Sequence, residues 1–284
     1  MTNDTFRTHI FKSFKNEFSM LSRLNWVIEL SIKAIRTNMS VLPYEEQDKY
    51  IGNLFSLHDF DSIRLNIDIK TFIKESDHYI EHLRMLLLVK GCASLEEYIH
   101  RYVKYYIIHI GYIGKKYNKL NEIGEVIAGP ALKSNLHDSL NYVEKLMKIS
   151  FGETLQKVSE AYQIRCAAAH NGGIIDFETA KKIPKFAKRV GDRILISWNE
   201  LHIFLDSIYN IAEKIELCID PRFRKRIEVN WLIQDIIDRK DIIVDNKVKE
   251  ITAGQAKDLL IKNYNYRGAP DKKTISLRFG LPNP

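Results

Sequence analysis

The chain has 284 residues, of which 45% are apolar and 28% charged, and its formal net charge is +7. This composition is typical of a soluble globular protein with room for one large domain and a smaller one. Three widely spaced cysteines, Cys92, Cys166 and Cys218, argue against a disulfide framework or a zinc site and fit a reducing cytosol. The N-terminus lacks the apolar core of a signal peptide, and no apolar run approaches the roughly 20 residues that span a bilayer. We therefore expect a cytoplasmic protein that does not enter a membrane.

The positive charge is concentrated at the C-terminal end of the chain. Residues 221–284 contain 14 Lys/Arg against 8 Asp/Glu, whereas the preceding 220 residues are close to neutral. Such a basic segment suits a polyanionic partner such as nucleic acid, and it also suits a solvated surface that keeps the protein soluble.

The first part of the chain is predicted to be helical. Residues 5–38 repeat apolar side chains at helical spacing, which predicts a long amphipathic helix. A shorter helix is expected near Glu45–Leu57, and a second long helical pattern runs from Ile67 to Val89. Gly91 then predicts an interruption.

Capping signals predict where the later helices begin. In a capping box, a Ser or Thr accepts from the backbone three residues ahead, and a Glu or Gln there reaches back to the cap. The chain offers Ser94-Leu-Glu-Glu97, Ser150-Phe-Gly-Glu153, Ser197-Trp-Asn-Glu200 and, more weakly, Thr252-Ala-Gly-Gln255. These signals predict helices from 94 to about 112, from 150 to about 170, from 197 to about 218, and after 252. A further helix is expected near Leu132–Met147.

Strand signals are few, so the fold class is predicted to be all-α. Asp192–Ser197 is short and β-rich, and Asp241–Ile251 is typical of a hairpin. We expect an N-terminal helical extension over 1–67, packed on a helical bundle over 68–218. A small basic α+β appendage should follow over 222–284.

The most distinctive stretch lies at the end of the helix that begins near Ser150. Arg165 and His170 are separated by Cys166 and three alanines, and Asn171-Gly172-Gly173 follows. Asn and Gly readily adopt the left-handed conformation that ends a helix. On a helical wheel the apolar stripe is predicted to contain Leu155, Val158, Tyr162, Cys166 and Ala169.

Arg165 and His170 fall about 140° apart on that wheel, on either side of a seam of small residues. The seam would let another helix approach closely. Without metal ligands nearby, the pair suits phosphodiester chemistry, because arginine binds phosphate with a bidentate fork and histidine transfers protons near neutral pH. A structural reading stays open, in which Arg165 forms an interhelical salt bridge and His170 caps the helix.

The pattern helix–IRCAAAHNGG–linker–GDRILIS–helix resembles the HEPN superfamily, over about residues 68–218 and most clearly over 150–217. The resemblance is strongest to bacterial stand-alone HEPN proteins in which Asn-Gly-Gly follows the histidine. It implies a helical bundle that dimerises and places two Arg–His pairs in one cleft. Many such proteins are metal-independent endoribonucleases that act as toxins or in antiviral defence.

The resemblance assigns phosphate contact to Arg165 and acid–base chemistry to His170, with no cofactor or metal. It implies RNA as substrate, a homodimer, and an antitoxin or a nucleotidyltransferase as a further partner. Cys166 departs from the pattern, because the family often has a polar residue there. Some relatives are not nucleases, so the alternative function is a non-catalytic helical module that binds nucleic acid or a partner protein.

Further candidate residues lie outside the pair itself. Glu96, Cys166 and Asn171 are candidate supporting residues for the catalytic pair. His78 and His82 are four residues apart and would suit either a metal pair or, more simply, a solvated helix face. In the tail, the candidate nucleic-acid ligands are Arg222, Arg224, Lys225 and Arg226.

Overall fold

The structure, a computed structural model, describes residues 6–54, 67–109, 129, 135–238, 243–244, 247–248, 251–264, 266 and 269–282. The described chain is predominantly helical, as predicted. Its helices are α1 (His9–Ser40), α2 (Ile51–Leu54), α3 (Ile69–His109), α4 (Leu136–Met147), α5 (Glu153–Asn171), α6 (Phe177–Lys182), α7 (Trp198–Cys218), α8 (Pro221–Asp238), α9 (Ala253–Tyr264) and α10 (Lys272–Phe279). Short 3-10 turns occupy Tyr44–Glu46 and Pro184–Phe186.

The described residues form two compact units. One contains residues from 1–16, 93–159 and 207–284, and the other contains residues from 17–92 and 160–206. These boundaries differ from the predicted segments 1–67, 68–218 and 222–284. The reason is that α1, α3, α5 and α7 each contribute residues to both units, so neither unit is one continuous stretch of sequence.

The predicted break at Gly91 and the predicted helix start at Ser94 are wrong. Residues Ile69–His109 form one uninterrupted helix. The side chains of Leu88, Cys92, Leu95 and Ile99 are all at most 1% exposed, so one buried stripe passes straight through the glycine and the serine. Burial of this stripe outweighs the small cost of a glycine inside a helix.

The other capping boxes had different outcomes. In Ser197–Glu200 the Glu200 N–H donates to Ser197 Oγ at 3.2 Å and the Ser197 N–H donates to Glu200 Oε2 at 2.9 Å, which confirms the box. The box at Thr252–Gln255 is confirmed in the same way. At Ser150 the hydroxyl accepts instead from the Gly152 N–H, so the predicted box does not form, although α5 begins at Glu153.

The predicted strand Asp192–Ser197 is an extended segment rather than a strand. It forms a single antiparallel bridge, between Ile174 and Arg193. Ile194 and Ile196 are buried, while Leu195 between them is exposed. Pairing stops after one bridge because the partner segment turns into α6 at Phe177.

The C-terminal part contains a pair of two-residue strands and a buried apolar cluster. β1 (Ile243–Val244) pairs antiparallel with β2 (Lys247–Val248). In addition, α8 packs on α9 and α9 packs on α10. A buried apolar cluster joins these helices and includes Ile233, Leu260 and Ile275.

No helix within the described ranges has both the length and the apolar character needed to cross a membrane.

Candidate active site and adjoining pocket

Helix α5 carries the Arg–His pair and ends as the sequence predicts. It runs to Asn171, so His170 still belongs to the helix. Gly172 and Gly173 follow with φ angles of 59° and 80°. The Gly173 N–H donates to the carbonyl of Ala167 at 3.1 Å, which closes the helix end. Residues other than glycine rarely adopt such φ values, which explains why two glycines occupy these positions.

The buried side of α5 is not the predicted stripe. Its buried residues are Val158, Ala161, Ile164 and Ala167, each at most 2% exposed. Of the predicted set, only Val158 is fully buried; Leu155, Tyr162 and Cys166 are partly exposed and Ala169 is exposed. The prediction was wrong because Ala161, Ile164 and Ala167, rather than Leu155 and Tyr162, meet the interior beside Val158.

This correction changes the surroundings of the pair. Ala169 and His170 are exposed, and Cys166 is half-buried beside them. Arg165 is also half-buried, and its guanidinium carbon lies 5.4 Å from the centre of the Tyr162 ring, within range of a cation–π interaction. Of the small residues between Arg165 and His170, Cys166 and Ala168 are half-buried and Ala169 is exposed, whereas Ala167 is buried.

Asn171 is held in place by Asp176, the N-cap of α6. The Asn171 Nδ2 donates to Asp176 Oδ2, and the Thr179 N–H donates to Asp176 Oδ1 at 2.7 Å. The pKa of Asp176 lies below its ordinary value, mainly because the backbone and the side chain of Thr179 donate hydrogen bonds to it. The hydrogen bond from Asn171 lowers this pKa further. The Asn-Gly-Gly turn is thus fixed by a carboxylate that remains ionised.

The structure does not group all the predicted site residues. Arg165, Cys166, His170 and Asn171 lie together on the last turns of α5. Glu96 lies within α3 and belongs to the other compact unit.

The basic cluster of the tail is divided. Arg222, Lys225 and Arg226 are exposed, and Arg222 pairs with Asp220. Arg224 is only 3% exposed, and its Nη1 donates to the carbonyl of Phe6 at 2.7 Å. The prediction of Arg224 as a nucleic-acid ligand therefore conflicts with its burial, because a phosphate could not reach it.

The helix end that carries the pair also forms one wall of a pocket of about 280 Å³. Ala168, Ala169, Gly172 and Gly173 line it from the α5 side. The remaining lining comes from α3 and from the segment that pairs with Ile174, and it comprises His78, Glu81, His82, Met85, Leu86, Val89, Arg193, Ile194 and Leu195. All these residues belong to the same compact unit.

Arg193 occupies the position that a metal bound by His78 and His82 would need. Its Nη1 lies 2.9 Å from His78 Nε2 and 3.1 Å from His82 Nε2, and the two imidazole nitrogens are 3.0 Å apart. Within the described part of the chain, no cluster of three or more His, Cys, Asp or Glu residues could hold a metal. The hypothesis that His78 and His82 bind a metal is therefore not supported.

The pocket favours neutral imidazole at His82. Burial lowers the pKa of His82, the charges of His78 and Arg193 lower it further, and Glu81 acts in the opposite direction.

Sequence reasoning missed Arg193 and Asp176. Arg193 is 111 and 115 positions from its two histidine partners, and no local pattern connects such residues. Asp176 had a usable signal, because Asp-x-x-Thr stands before a helix three times in this chain. Asp68, Asp176 and Asp271 each accept the N–H of the threonine three residues later.

Comparisons with known proteins leave the family open. No family model matches the chain, and neither the curated proteins nor the solved structures gave a significant match.

Proposed function

We propose that the chain is a metal-independent endoribonuclease of the HEPN type, with a toxin or antiviral defence role. One observation carries the proposal: the last turns of α5 bear Arg165 and His170 beside the accessible, small side chains of Cys166 and Ala169. The sequence resemblance to HEPN proteins supplies the reaction, and this arrangement is compatible with it.

In the proposed reaction, RNA supplies its own nucleophile. His170 accepts the proton of the 2′-hydroxyl, whose oxygen attacks the adjacent phosphorus and expels the 5′-oxygen of the next nucleotide. The imidazolium of His170 then returns the proton to that oxygen, and the products are a 2′,3′-cyclic phosphate and a 5′-hydroxyl. Arg165 stabilises the negative charge on the phosphate oxygens during the attack.

The accessible seam also supports a homodimer. Cys166 is small and half-buried, so a second copy of α5 could approach closely on that side of the helix, and the exposed His170 would then face the partner's α5. An Arg–His pair from each protomer would line one cleft. In this proposal the dimer completes the active site.

The test is an RNA cleavage assay in EDTA with full-length protein. Wild type should cut RNA and leave cyclic phosphate ends. His170→Ala and Arg165→Ala should each lower the rate by about 10²-fold or more, the usual range for loss of a general base or a charge-stabilising group. Cleavage that survives both substitutions would exclude this active site.

Sedimentation of the same samples tests the dimer. Wild type and His170→Ala should both be dimers, whereas Cys166→Arg places a long charged side chain in the seam and should give inactive monomers. Ala187→Arg is the matched control, because Ala187 is an exposed residue outside α5. A wild-type monomer that cleaves RNA would refute the shared cleft.

A second candidate function is a non-catalytic module that binds a partner protein. It is favoured by exposed apolar side chains along one face of α1, namely Met20, Leu24, Val27 and Leu30, which are 42–61% exposed. An exposed apolar face of this kind is typical of a protein-binding surface, and an antitoxin or a nucleotidyltransferase would be its proposed partner. Under this candidate no RNA is cut, and Arg165→Ala and His170→Ala alter assembly or stability alone.

A further inference from the structure

The pocket beside the end of α5 has two chemically different ends. At one end, nitrogen atoms of Arg193, His78 and His82 lie within 3.1 Å of one another. At the other end, the side chains are apolar, with Met85 and Val89 from α3 and Ala168 and Ala169 from α5. A ligand that uses the whole pocket therefore needs an anionic group and an apolar body.

At the nitrogen-rich end, an anion could replace the two histidines as the hydrogen-bond acceptor of Arg193. A guanidinium can only donate hydrogen bonds, so the Nε2 atoms of His78 and His82 must accept from Arg193. The two Nε2 atoms then face each other at 3.0 Å with no proton between them. An anionic oxygen would accept from Arg193 in their place, and each imidazole, once protonated, would donate to the same anion.

The position of Glu81 agrees with that exchange. Its Oε2 lies 3.8 Å from Nδ1 of His78, on the side of the ring away from Arg193. A carboxylate there attracts the Nδ1 proton and leaves Nε2 directed toward Arg193 and the pocket.

Size and shape select the apolar body. A volume of about 280 Å³ is close to the lower end of small-molecule pockets, about 300 Å³. A flat ring would lie between the α3 and α5 walls, where methionine sulfur makes favourable contacts with aromatic rings. The α5 wall also includes Gly172 and Gly173, where even an added Cβ would meet no atom within 4 Å, so there is space for the sugar.

We propose that this pocket binds one nucleotide, with its phosphate at Arg193, His78 and His82 and its base between Met85, Val89 and the α5 alanines. For the source of the nucleotide, the inference rests on the proposed ribonuclease function. Ala169 and Gly172, which line the pocket, flank the His170–Asn171 dipeptide, so an RNA strand engaged at His170 would have a neighbouring nucleotide beside the pocket. A free nucleoside monophosphate carries the same chemistry, and the experiment separates the two sources.

The experiment is calorimetric titration of the full-length His170→Ala variant, which is expected to leave RNA uncut. The probes are adenosine and uridine 5′-monophosphates, the two nucleosides, inorganic phosphate and a short RNA. We expect a monophosphate to bind at least about tenfold more tightly than inorganic phosphate or its nucleoside, because only the nucleotide fills both ends. Competition by the short RNA identifies the strand as the source, and its failure to compete identifies the free nucleotide.

The decisive variant is Arg193→Ala, made in the same background. It should weaken binding at least about tenfold, the range expected for loss of a hydrogen bond to a charged group. Arg189→Ala is the matched control, because Arg189 is four residues away, pairs with Asp192 and does not line the pocket. His82→Gln keeps a polar side chain that cannot take up a proton, so it should also weaken binding even if Arg193→Ala fails to fold.

Three results would overturn the proposal: no saturable nucleotide binding, equal affinity for inorganic phosphate and nucleotide, or unchanged binding after both pocket substitutions. Failure of the ribonuclease proposal is separate, because it is seen as absent RNA cleavage by wild type and leaves the titration readable. An active ribonuclease with unaltered nucleotide binding in Arg193→Ala and His82→Gln would refute only the pocket.

Discussion

Each compact unit contains a group of polar side chains, and the two groups differ in burial and in their hydrogen-bond partners. The first lies at the start of α1, where Glu216 and Glu228 are at most 2% exposed. The second is the cluster of His78, His82 and Arg193, which lines an open pocket.

The carboxylates at the start of α1 are fully engaged. The N–H and hydroxyl of Thr8 donate to Glu216 at 2.7 Å and 2.9 Å, and the N–H and ring of His9 contact Glu228. These backbone groups belong to the beginning of a helix, where N–H groups lack intrahelical partners and the helix dipole favours negative charge. The two carboxylates therefore serve as hydrogen-bond acceptors for the first N–H groups of α1 and have a structural role.

In the pocket, nitrogen-bearing groups outnumber carboxylates. Arg193 and the two histidines meet one another, and the nearest carboxylate, Glu81, reaches only His78 at 3.8 Å. Burial with matched partners makes the first cluster structural. Exposure and the charge of Arg193, with Glu81 as far as 3.8 Å from His78, make the second suitable for an anion.

The largest expected effect on stability comes from Glu216→Ala. This substitution leaves the N–H and hydroxyl of Thr8 buried without acceptors, which should lower the free energy of unfolding by about 3 kcal/mol. His82→Ala in the pocket should change it by less than about 1 kcal/mol. Urea denaturation of full-length protein measures both values.

Glu213→Ala is the control for Glu216→Ala, because Glu213 lies on the same helix and is partly exposed. It should leave the unfolding midpoint nearly unchanged. Similar losses for Glu216→Ala and His82→Ala would remove the distinction between a structural cluster and a binding cluster.

A smaller effect should separate stability from activity at the Asn-Gly-Gly turn. Asp176→Ala removes the N-cap of α6 and releases the Asn171 side chain. The loss of the cap should cost about 1 kcal/mol. RNA cleavage, under the proposed function, should fall by about tenfold, because small displacements of a catalytic residue such as His170 are costly.

Asp271→Ala supplies the matched control, since Asp271 caps α10 through the same pair of bonds to a threonine three residues later. It should show a similar loss of stability with unchanged cleavage. Equal cleavage rates in the two variants would show that Asp176 stabilises α6 without positioning the site.

Helices and their ends were predictable where the signal was local. The boxes at Ser197 and Thr252 form because every group they need lies within four residues. Ser94 carries the same signal and fails, because the buried side chains of α3 continue on both sides of it. Local chemistry sets a helix end only where tertiary burial does not require the helix to continue.

The candidate site was predictable to the same extent. Arg165 and His170 lie five positions apart, so one helix fixes their separation. The identity of the buried side of α5 was not predictable, because alanines, which fit either side of a helix, form much of it. The pocket was even harder to predict from the sequence, because Arg193 contacts His78 and His82 only in the folded chain.

The smallest predicted effect is a pH dependence in the first cluster. Burial raises the pKa of Glu216, while bonds from Thr8 and the charge of Arg224 partly offset that rise. A carboxyl group whose pKa is higher in the folded protein contributes stability below its unfolded pKa, and that contribution is lost as the pH rises through the folded pKa. Between pH 4 and 7, wild type should therefore lose stability relative to Glu216→Gln, which imitates the protonated acid. Urea denaturation of both proteins across this range measures the difference. If wild type instead gains stability relative to Glu216→Gln as the pH rises, the hydrogen bonds and charges around Glu216 lower its pKa by more than burial raises it.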